Sequence, residues 1–263
     1  MNIEINAHDL AEVASRQFCS PGFCTDIDSR DEIFAFLAAH HVTKEKPVRA
    51  YFDSGHNAFV SLIRVLHDLG RSLGSASHIL EFACGYGRVT RHIVRALSPS
   101  RIDVSDVVAE AVAFQRSTFN VRGFVSHQDP DQCPFPAKYD VIFVASLFSH
   151  LPKGLWRPWL RKLHGRLAPD GVLIFSVHGP KCVPAGQAIG PEGFLYFRSS
   201  ESKVLDGEIY GTTYVSKEFV DRSALDISGR EPIAFYQQGM WNYQDVYAIG
   251  NSARLEAILL SKR

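Results

Sequence analysis

The sequence predicts an α/β fold from three observations. Between Ser77 and Val177, short apolar runs alternate with helix-like segments, which is typical of parallel strands that are buried on both faces and joined by helices. The first run leads into an acid and a turn of small residues, reading ILEFACGYGRV from Ile79 to Val89. The next run delivers Asp106. Because the carboxyl ends of parallel strands meet at one edge of a sheet, we expect a ligand site there.

The turn after the first strand has the composition of a ligand-binding loop. Gly85 and Gly87 let the main chain approach a ligand closely and tolerate positive φ. The helix predicted over Val89–Leu97 points its N-terminal amides and the positive end of its dipole at the same place. A dinucleotide-binding motif would continue to a third glycine, where this chain has Thr90. The glycine pattern is therefore weak evidence by itself.

An acid at the end of the second strand strengthens the interpretation. The strand predicted over Arg101–Ser105 is followed by Asp106, which lies 19 residues after Gly87. An acid that binds ribose hydroxyls is expected roughly 20 residues after the glycine loop. Asp103 is the alternative, but it would lie inside the strand, whereas Asp106 opens the helix predicted over Val107–Thr118.

With these residues in place, the chain resembles the class I S-adenosylmethionine-dependent methyltransferases of the bacterial small-molecule type. The first motif of that family, roughly acid-x-G-x-G-x-G, is similar to EFACGYG from Glu81 to Gly87, with Ala83 in place of the first glycine. Later segments resemble the family's remaining elements in order: the third acidic segment Asp129–Phe135, the buried fourth strand Tyr139–Ser146, the loop Leu147–Pro152 beside the methyl group, the helix Leu163–Pro169, the fifth strand Val172–Val177 and the last strand Gln244–Ile249.

The resemblance implies a seven-stranded, mostly parallel, doubly wound sheet with an antiparallel last strand. N-terminal helices precede this sheet, and a lid insertion follows strand five. We expect residues 1–76 to form an N-terminal helical cap and residues 77–263 a Rossmann-like methyltransferase domain, with the lid at residues 179–214. The lid sequence is rich in glycine and aromatics and shows little periodicity, which is typical of a functional loop.

Local signals place further elements outside the alternating core. Three helices are predicted before it, over Ala7–Gln17, Arg30–His40 and Asn57–Leu73. Ser29 with Glu32 resembles a capping box that starts the second of them. After the lid, Ser216 is a candidate N-cap for a helix over Lys217–Leu225, and a hairpin is predicted from Ile233–Tyr236 and Asp245–Ile249.

The resemblance also implies a cofactor and its ligands. S-adenosylmethionine would be the methyl donor and S-adenosylhomocysteine the product. Glu81 would hold the donor's amino group and Asp106 its ribose hydroxyls. Around them, the expected contacts are the turn residues Ala83, Cys84, Gly85 and Gly87, Val107 beside the ribose acid, Asp129 and Pro130 at the adenine, Ala145 near the methyl group, and Tyr51 closing over the cofactor.

Alternatives remain open for several of these residues. Glu81 could only cap the turn, and Asp106 could act as a helix N-cap. At the adenine, the backbone could serve in place of Asp129. Tyr51 and its neighbour Phe52 could plug the N-terminal helices onto the sheet.

For the methyl acceptor, two histidines stand out. His150 ends the loop after strand four and His178 ends strand five, so both face the expected cleft. Imidazole titrates near neutral pH, and either could take a proton from a hydroxyl or amine. A structural hydrogen bond for His150 and a packing role for His178 are the alternatives. Glu201, Tyr210 and Gln244 could orient a substrate, although a solvated surface position is the simpler expectation for each.

Composition limits the remaining possibilities. Lysine plus arginine equals aspartate plus glutamate, at 28 each in 263 residues, so no net field favours nucleic acid. The longest apolar run, Val141–Phe148, is far shorter than the roughly 18 residues of a membrane-spanning helix. The first ten residues do not form a signal peptide. We therefore expect a cytoplasmic protein, monomeric or homodimeric, that contacts a small-molecule acceptor and neither nucleic acid nor membrane.

Two residue types exclude other chemistry. The five cysteines form no C-x-x-C pair and are expected to be reduced thiols in the cytoplasm. Of these, Cys19 and Cys24 could pair only in an oxidising compartment. The eleven histidines are scattered, so no metal site is predicted.

The expected function is transfer of a methyl group to the oxygen or nitrogen of a small molecule. A nucleic-acid methyltransferase is the first alternative, but such enzymes often carry Asn-Pro-Pro-Tyr after strand four, where this chain has Ala145-Ser146-Leu147-Phe148. A non-catalytic protein that binds S-adenosylmethionine is the second. A nicotinamide-dependent oxidoreductase is disfavoured by the missing third glycine and by the antiparallel last strand.

Overall fold

A computed structural model of the chain describes residues 22–40, 45–200, 202 and 204–251. Predictions for Ala7–Gln17, Cys19 and Glu201 lie outside these ranges. None of the helices in the described part has the length and apolarity needed to cross a bilayer. The elements are the helices α1 (Glu32–His40), α2 (Glu45–Asp68), α3 (Thr90–Ala96), α4 (Ala109–Phe119), α5 (Lys153–His164) and α6 (Lys217–Ser228), and the strands β1 (Ile79–Phe82), β2 (Ile102–Asp106), β3 (Arg122–Val125), β4 (Tyr139–Val144), β5 (Leu167–Val177), β6 (Phe194–Phe197), β7 (Thr212–Val215), β8 (Ala234–Met240) and β9 (Gln244–Gly250).

The main sheet has seven strands in the order β3-β2-β1-β4-β5-β9-β8. Strands β1 to β5 pair in parallel, and β9 runs antiparallel to both β5 and β8. This confirms the predicted doubly wound sheet with an antiparallel last strand. The strand order reverses between β1 and β4, and the crevice beyond the carboxyl ends of these strands is where open α/β sheets bind ligands.

Each face of the sheet carries its own apolar layer. One layer joins alternate strand residues to α2 and α3 and includes Leu62, Val65 and Leu66 of α2. The other joins the opposite strand residues to α5 and α6 and includes Trp156 and Trp159, which lie on the buried face of α5. Helix α2 therefore shares a core with the sheet, while the division of the chain at residue 76 stays a prediction.

Several predicted helix boundaries are wrong, and two helices before the sheet show this. Helix α1 begins at Glu32 because Asp31, rather than Ser29, accepts the N–H groups of Ile33 and Phe34 at 3.0 and 3.1 Å. Helix α2 begins twelve residues before Asn57, at Glu45.

The predicted helix Leu163–Pro169 is instead the end of α5 and the start of β5. Gly165 ends α5 by donating its N–H to the Arg161 carbonyl. Tyr139 of β4 donates its N–H to the carbonyl of Arg166. The residues that follow Arg166 therefore pair with β4 as a strand.

The lid is more regular than its sequence suggests. Strands β6 and β7 form a separate antiparallel pair within and just after it, with Phe194 opposite Val215. Between these two strands, the Ser202 hydroxyl donates to Glu32 of α1 at 2.8 Å. The chain then enters α6 at Ser216, whose hydroxyl accepts the Phe219 N–H at 3.2 Å and confirms the predicted N-cap.

A buried arginine joins the N-terminal segment to the glycine turn. Arg91 of α3 is fully buried, and its guanidinium donates to the carbonyls of Gly87, Cys24 and Asp26 at 3.0, 2.8 and 3.1 Å. Its guanidinium carbon also lies 5.3 and 5.2 Å from the ring centres of Tyr51 and Phe52. Hydrogen bonds from a charged donor stabilise buried carbonyls strongly, so this side chain fixes residues 24–26 against the turn.

Arg91→Met is therefore expected to lower the free energy of unfolding by about 3 kcal/mol, because it leaves three carbonyls without their charged donor. Urea unfolding followed by circular dichroism measures this. The control is Arg95→Met, since Arg95 lies on the exposed side of the same helix and should cost less than about 0.5 kcal/mol. Equal effects of the two substitutions would contradict the role assigned to Arg91.

Candidate active site

The turn after β1 is built from left-handed backbone. Ala83, Gly85 and Gly87 have φ of +57°, +53° and +80°. A Cβ added at Gly87 would overlap the ring of Phe119, so this position requires glycine for both its conformation and its packing. Ala83 adopts the same region with a side chain, at some cost in strain. The strain is concentrated where the main chain must curl around a ligand.

The backbone N–H and carbonyl of Gly85 each form a hydrogen bond with a side chain. Its N–H donates to Asp106 Oδ2 at 2.8 Å, and its carbonyl accepts from Gln115 Nε2 at 2.7 Å. The second carboxylate oxygen of Asp106 accepts the Val108 N–H at 2.9 Å. Burial raises the pKa of Asp106, while these backbone donors oppose the shift. Because each carboxylate oxygen has two lone pairs, Asp106 can hold the turn and still accept ligand hydroxyls.

Glu81 lies beneath the turn in a buried polar cluster. The Thr90 hydroxyl lies 2.6 Å from Glu81 Oε2 and 2.6 Å from Gln115 Oε1. Since Gln115 uses its amide nitrogen on the carbonyls of the turn, its oxygen faces Thr90 as an acceptor. One hydroxyl proton cannot serve two acceptors, so the cluster is satisfied when Glu81 is protonated. Burial raises the pKa of Glu81 to about 7, which agrees with this arrangement.

The alternative acid of β2 lies elsewhere. Asp103 accepts from Arg122 Nε and from the Tyr139 hydroxyl, each at 2.8 Å. These partners occupy its carboxylate within the sheet, three residues before the carboxyl end of β2. Asp106 is the acid of this strand that reaches the turn.

The remaining predicted cofactor residues lie along the same sheet edge or beside it. Val107 follows Asp106 directly, and Ala145 follows the end of β4. Asp129 caps the short 3-10 turn Pro130–Gln132 by accepting the Asp131 N–H at 2.9 Å, and Pro130 is buried. Cys84 is a buried thiol that donates its backbone N–H to the Ser105 carbonyl at 3.1 Å.

Tyr51 is placed in the N-terminal packing layer. Its ring is fully buried, and its hydroxyl donates to Asp31 Oδ2 at 2.6 Å. Phe52 packs against it at 5.7 Å between ring centres. The structure thus shows the packing role for both aromatics, and a contact of Tyr51 with the cofactor stays a prediction.

The two candidate bases lie side by side with different surroundings. His150 Nδ1 is 2.8 Å from the Gly211 carbonyl and therefore acts as the donor to it. Its ring stacks on Tyr210 of the lid at 4.4 Å and 15°. His178 lies 6.1 Å away, between ring centres. Within the described ranges, no three side chains of the metal-ligating types converge.

His178 is held on both ring nitrogens. Its Nδ1 lies 3.2 Å from the Thr213 carbonyl and its Nε2 accepts from Gln244 Nε2 at 3.1 Å. Burial lowers the pKa of His178 to about 4. The same Gln244 accepts the Ser176 hydroxyl at 2.7 Å and is buried, so the expectation of a solvated surface position for Gln244 is wrong. Its amide group forms hydrogen bonds with Ser176 and His178 at this edge of the sheet.

Sequence reasoning missed several residues of the site. It treated Thr90 only as a missing glycine, and it did not single out Gln115 or Arg88. Gln115 is fully buried on α4, and its signal was a lone polar residue on the face that also carries Ala111, Val112 and Phe119. Arg88 directly follows the turn, and its guanidinium lies 4.9 Å from the Trp241 ring centre. The sequence does not show that contact because the two residues are far apart in the chain.

Comparison with known proteins agrees with this geometry. Residues 80–173 match a family model described as a methyltransferase domain. A malonyl-(acyl-carrier protein) O-methyltransferase of Bacillus cereus is 30% identical over 120 residues, which cover 45% of this chain and 44% of that enzyme. One of Porphyromonas gingivalis is 26% identical over 125 residues, covering 48% and 47%. The matched stretch thus spans about half the length of these curated relatives.

Solved structures resemble the chain over more of its length. An S-adenosylmethionine-dependent methyltransferase from Clostridium acetobutylicum covers 92% of this chain and 98% of its own, with a TM-score of 0.55 and 12% identity. An amino pentose methyltransferase from Micromonospora echinaspora, solved with S-adenosylmethionine, covers 77% and 92%, with a TM-score of 0.55 and 15% identity.

The fold is therefore that of the class I S-adenosylmethionine-dependent methyltransferases. Residues 80–173, which match the methyltransferase-domain model, include the glycine turn and strands β2 to β4.

Glu81 should make stability depend on pH in a defined direction. Its pKa is raised in the folded state to about 7, so the unfolded state releases this proton first as the pH rises. The stability contributed by the protonated carboxyl is complete below about pH 4 and is lost as the pH rises through 7. Between pH 5 and 8, the wild type should therefore lose about 3 kcal/mol relative to Glu81→Gln.

Urea unfolding at both pH values measures this difference, because other titrating groups are common to the two proteins. Glu110→Gln is the control, since Glu110 is an exposed acid of α4 and its variant should follow the wild-type profile. Parallel profiles for the wild type and Glu81→Gln would show that the cluster does not retain a proton.

Proposed function

We propose that this protein is a methyltransferase that uses S-adenosylmethionine and acts on the oxygen or nitrogen of a small molecule. The observation that carries the proposal is the Gly85 peptide, held between Asp106 and Gln115 at the point where the strand order reverses. An acid that reaches both the turn and the cleft suits a ribose, and the glycine turn suits an amino-acid tail.

The residues present fit this cofactor. Glu81 is a buried acid whose pKa is raised by burial to about 7, and an ammonium group would favour its ionised form. Asp106 offers oxygen lone pairs to the ribose, and Val107 follows it along the ribose side. The turn residues Ala83, Cys84, Gly85 and Gly87 would surround the tail, Asp129 and Pro130 the adenine, and Ala145 the methyl group. Tyr51 would support these residues from the N-terminal packing layer.

The donor supplies an activated methyl group on a sulfonium, so the protein mainly has to position the acceptor and exclude water. His150 is the proposed base. With its Nδ1 proton held by the Gly211 carbonyl, Nε2 would take the proton of the acceptor O–H or N–H as that oxygen or nitrogen gains the methyl group. The donor would supply the methyl group and would be released as S-adenosylhomocysteine. His178 instead positions Gln244 and the sheet edge.

The acceptor is proposed only as a class. The similar proteins are named for a malonyl group on acyl-carrier protein, an amino pentose and magnesium protoporphyrin IX, so their names do not agree on one acceptor. The cleft between the lid and the N-terminal helices is where a small molecule would enter. A cytoplasmic location, a monomeric or homodimeric state and the absence of a nucleic-acid partner belong to the same proposal.

Donor binding is the first test, measured by calorimetry with S-adenosylmethionine, S-adenosylhomocysteine and NAD. The two sulfur compounds should bind and NAD should not. Asp106→Asn should weaken binding of S-adenosylhomocysteine at least about tenfold, because it removes the carboxylate proposed to accept hydrogen bonds from the ribose hydroxyls.

Asp103→Asn is the matched control, since it changes the same residue type in the same strand without touching the turn. It should leave affinity within about twofold while lowering stability. Binding of NAD in place of the sulfur compounds, or equal affinity in both variants, would contradict the proposed site.

His150 is tested separately from binding. His150→Asn keeps an N–H for the Gly211 carbonyl and removes the base, so methyl transfer should fall by about 10²–10⁴-fold. Affinity for S-adenosylhomocysteine should stay unchanged. The measurement is transfer of a tritiated methyl group to the best acceptor in a panel of small alcohols, amines and acids.

Added imidazole should restore part of the lost rate. The control is His127→Asn, because His127 is exposed beyond β3. A full rate in His150→Asn would assign this histidine a structural role only.

A further inference from the structure

A second cation lies near the turn with very different surroundings from Arg91. Arg88 Nη1 donates to the Ser54 hydroxyl of α2 at 3.2 Å. Its guanidinium carbon lies 4.9 Å from the ring centre of Trp241, in the connection between β8 and β9. Tyr51 of α2, Asp31 before α1, Glu81 of β1 and Tyr210 of the lid are close enough to raise its pKa. Five separate parts of the fold thus converge on one guanidinium.

The position of Arg88 is rigidly built. A Cβ at Gly55 of α2 would overlap the Arg88 carbonyl, so only glycine allows the helix to approach this closely. Trp241 is itself anchored to α2, since its ring N–H donates to the Ser54 carbonyl at 2.7 Å and its backbone N–H to Asn57 at 2.6 Å. The cation therefore sits in a fixed cradle rather than on a free surface.

This cradle does not neutralise the charge. A guanidinium has five N–H donors, and the described part of the chain gives Arg88 one side-chain acceptor and no carboxylate within 4.0 Å. Burial lowers the pKa of Arg88, while the nearby Tyr51 and Asp31 oppose the shift. The nearby acids have other partners: Glu81 binds Thr90, and Asp31 caps α1 and accepts from Tyr51. The Arg88 side chain is partly exposed, and a guanidinium without a carboxylate in contact favours binding of an anion.

We propose that Arg88 binds a carboxylate of the methyl acceptor and so makes the enzyme specific for anionic small molecules. This inference rests on the proposed function. The planar fork of arginine matches the two oxygens of a carboxylate.

The surroundings of Arg88 favour the acceptor over the donor's own tail. Helix-start amides and the glycine turn already face that tail, whereas Ser54, Trp241 and Tyr210 belong to elements outside the turn. The Tyr210 ring stacks on His150, the proposed base. An acceptor held by its carboxylate at Arg88 could therefore present another oxygen or nitrogen toward His150, along the lid.

The experiment uses malonate as the probe and Trp241 fluorescence as the signal, because the indole lies against the guanidinium. The protein is first saturated with S-adenosylhomocysteine so that the donor's tail cannot be replaced by the probe. Malonate should then change the fluorescence saturably, and neutral malonamide at equal ionic strength should not. Arg88→Met should weaken malonate binding at least about tenfold. Arg88→Lys keeps the charge without the planar fork and should bind malonate with intermediate affinity. Trp241→Phe should remove the signal.

Arg64→Met is the matched control. Arg64 also lies 4.9 Å from an aromatic ring centre, that of Tyr236, but is exposed on α2. Its variant should bind malonate as the wild type does. Retained binding of S-adenosylhomocysteine shows that each variant keeps its folded site.

Three results would overturn the inference. One is the absence of a saturable malonate response in the wild type. Another is an equal response in Arg88→Met. The third is a response that S-adenosylhomocysteine abolishes, together with weaker S-adenosylhomocysteine binding in Arg88→Met, which would assign the guanidinium to the donor's tail. Failure of S-adenosylhomocysteine to bind the wild type would overturn the proposed function itself, and calorimetry detects it before malonate is added.

Discussion

The site depends on the immobilised peptide of Gly85. Asp106 holds its N–H from the neighbouring strand, and Gln115 holds its carbonyl from the helix that follows that strand. A turn with three left-handed residues has few intrinsic constraints, because glycine lowers the barrier between its conformations. Two side-chain hydrogen bonds, one to each of the two peptide groups that flank the Gly85 Cα, replace the missing constraint, so the loop is preorganised before a ligand arrives.

The same arrangement concentrates acidic groups whose charges are unfavourable without a ligand. Burial raises the pKa of both Glu81 and Asp106, and the charge of Asp106 adds to the shift of Glu81. Two carboxylates in one low-dielectric pocket resist simultaneous ionisation. A ligand that carries a cation at one end and hydroxyls at the other relieves this cost. The electrostatics therefore favour a zwitterionic nucleoside more than a neutral one.

Local pattern in the sequence was sufficient to predict several features of the fold and the site. The order of strands and helices from Ser77 to Val177, the glycine turn, the choice of Asp106 over Asp103 as the acid at the strand end and the cap at Ser216 all depend on residues within about one element. Local pattern was insufficient where distant segments decide. Residues 167–169 were predicted to be helical, because only their pairing with β4 identifies them as a strand. Gln244 read as a surface residue because its partners, Ser176 and His178, lie in another part of the chain.

Arg88 and Arg91 show the same limit most clearly, because they lie three residues apart and are chemically identical. The Arg91 guanidinium is buried and donates to three backbone carbonyls, which stabilise its charge. Arg88 turns toward α2 and Trp241 and finds an aromatic face and one hydroxyl. Nothing in the local sequence distinguishes the arginine that donates to three carbonyls from the one that has a single hydroxyl acceptor. The distinction depends on what the other segments offer to each guanidinium, and counting the acceptors around each one reveals it.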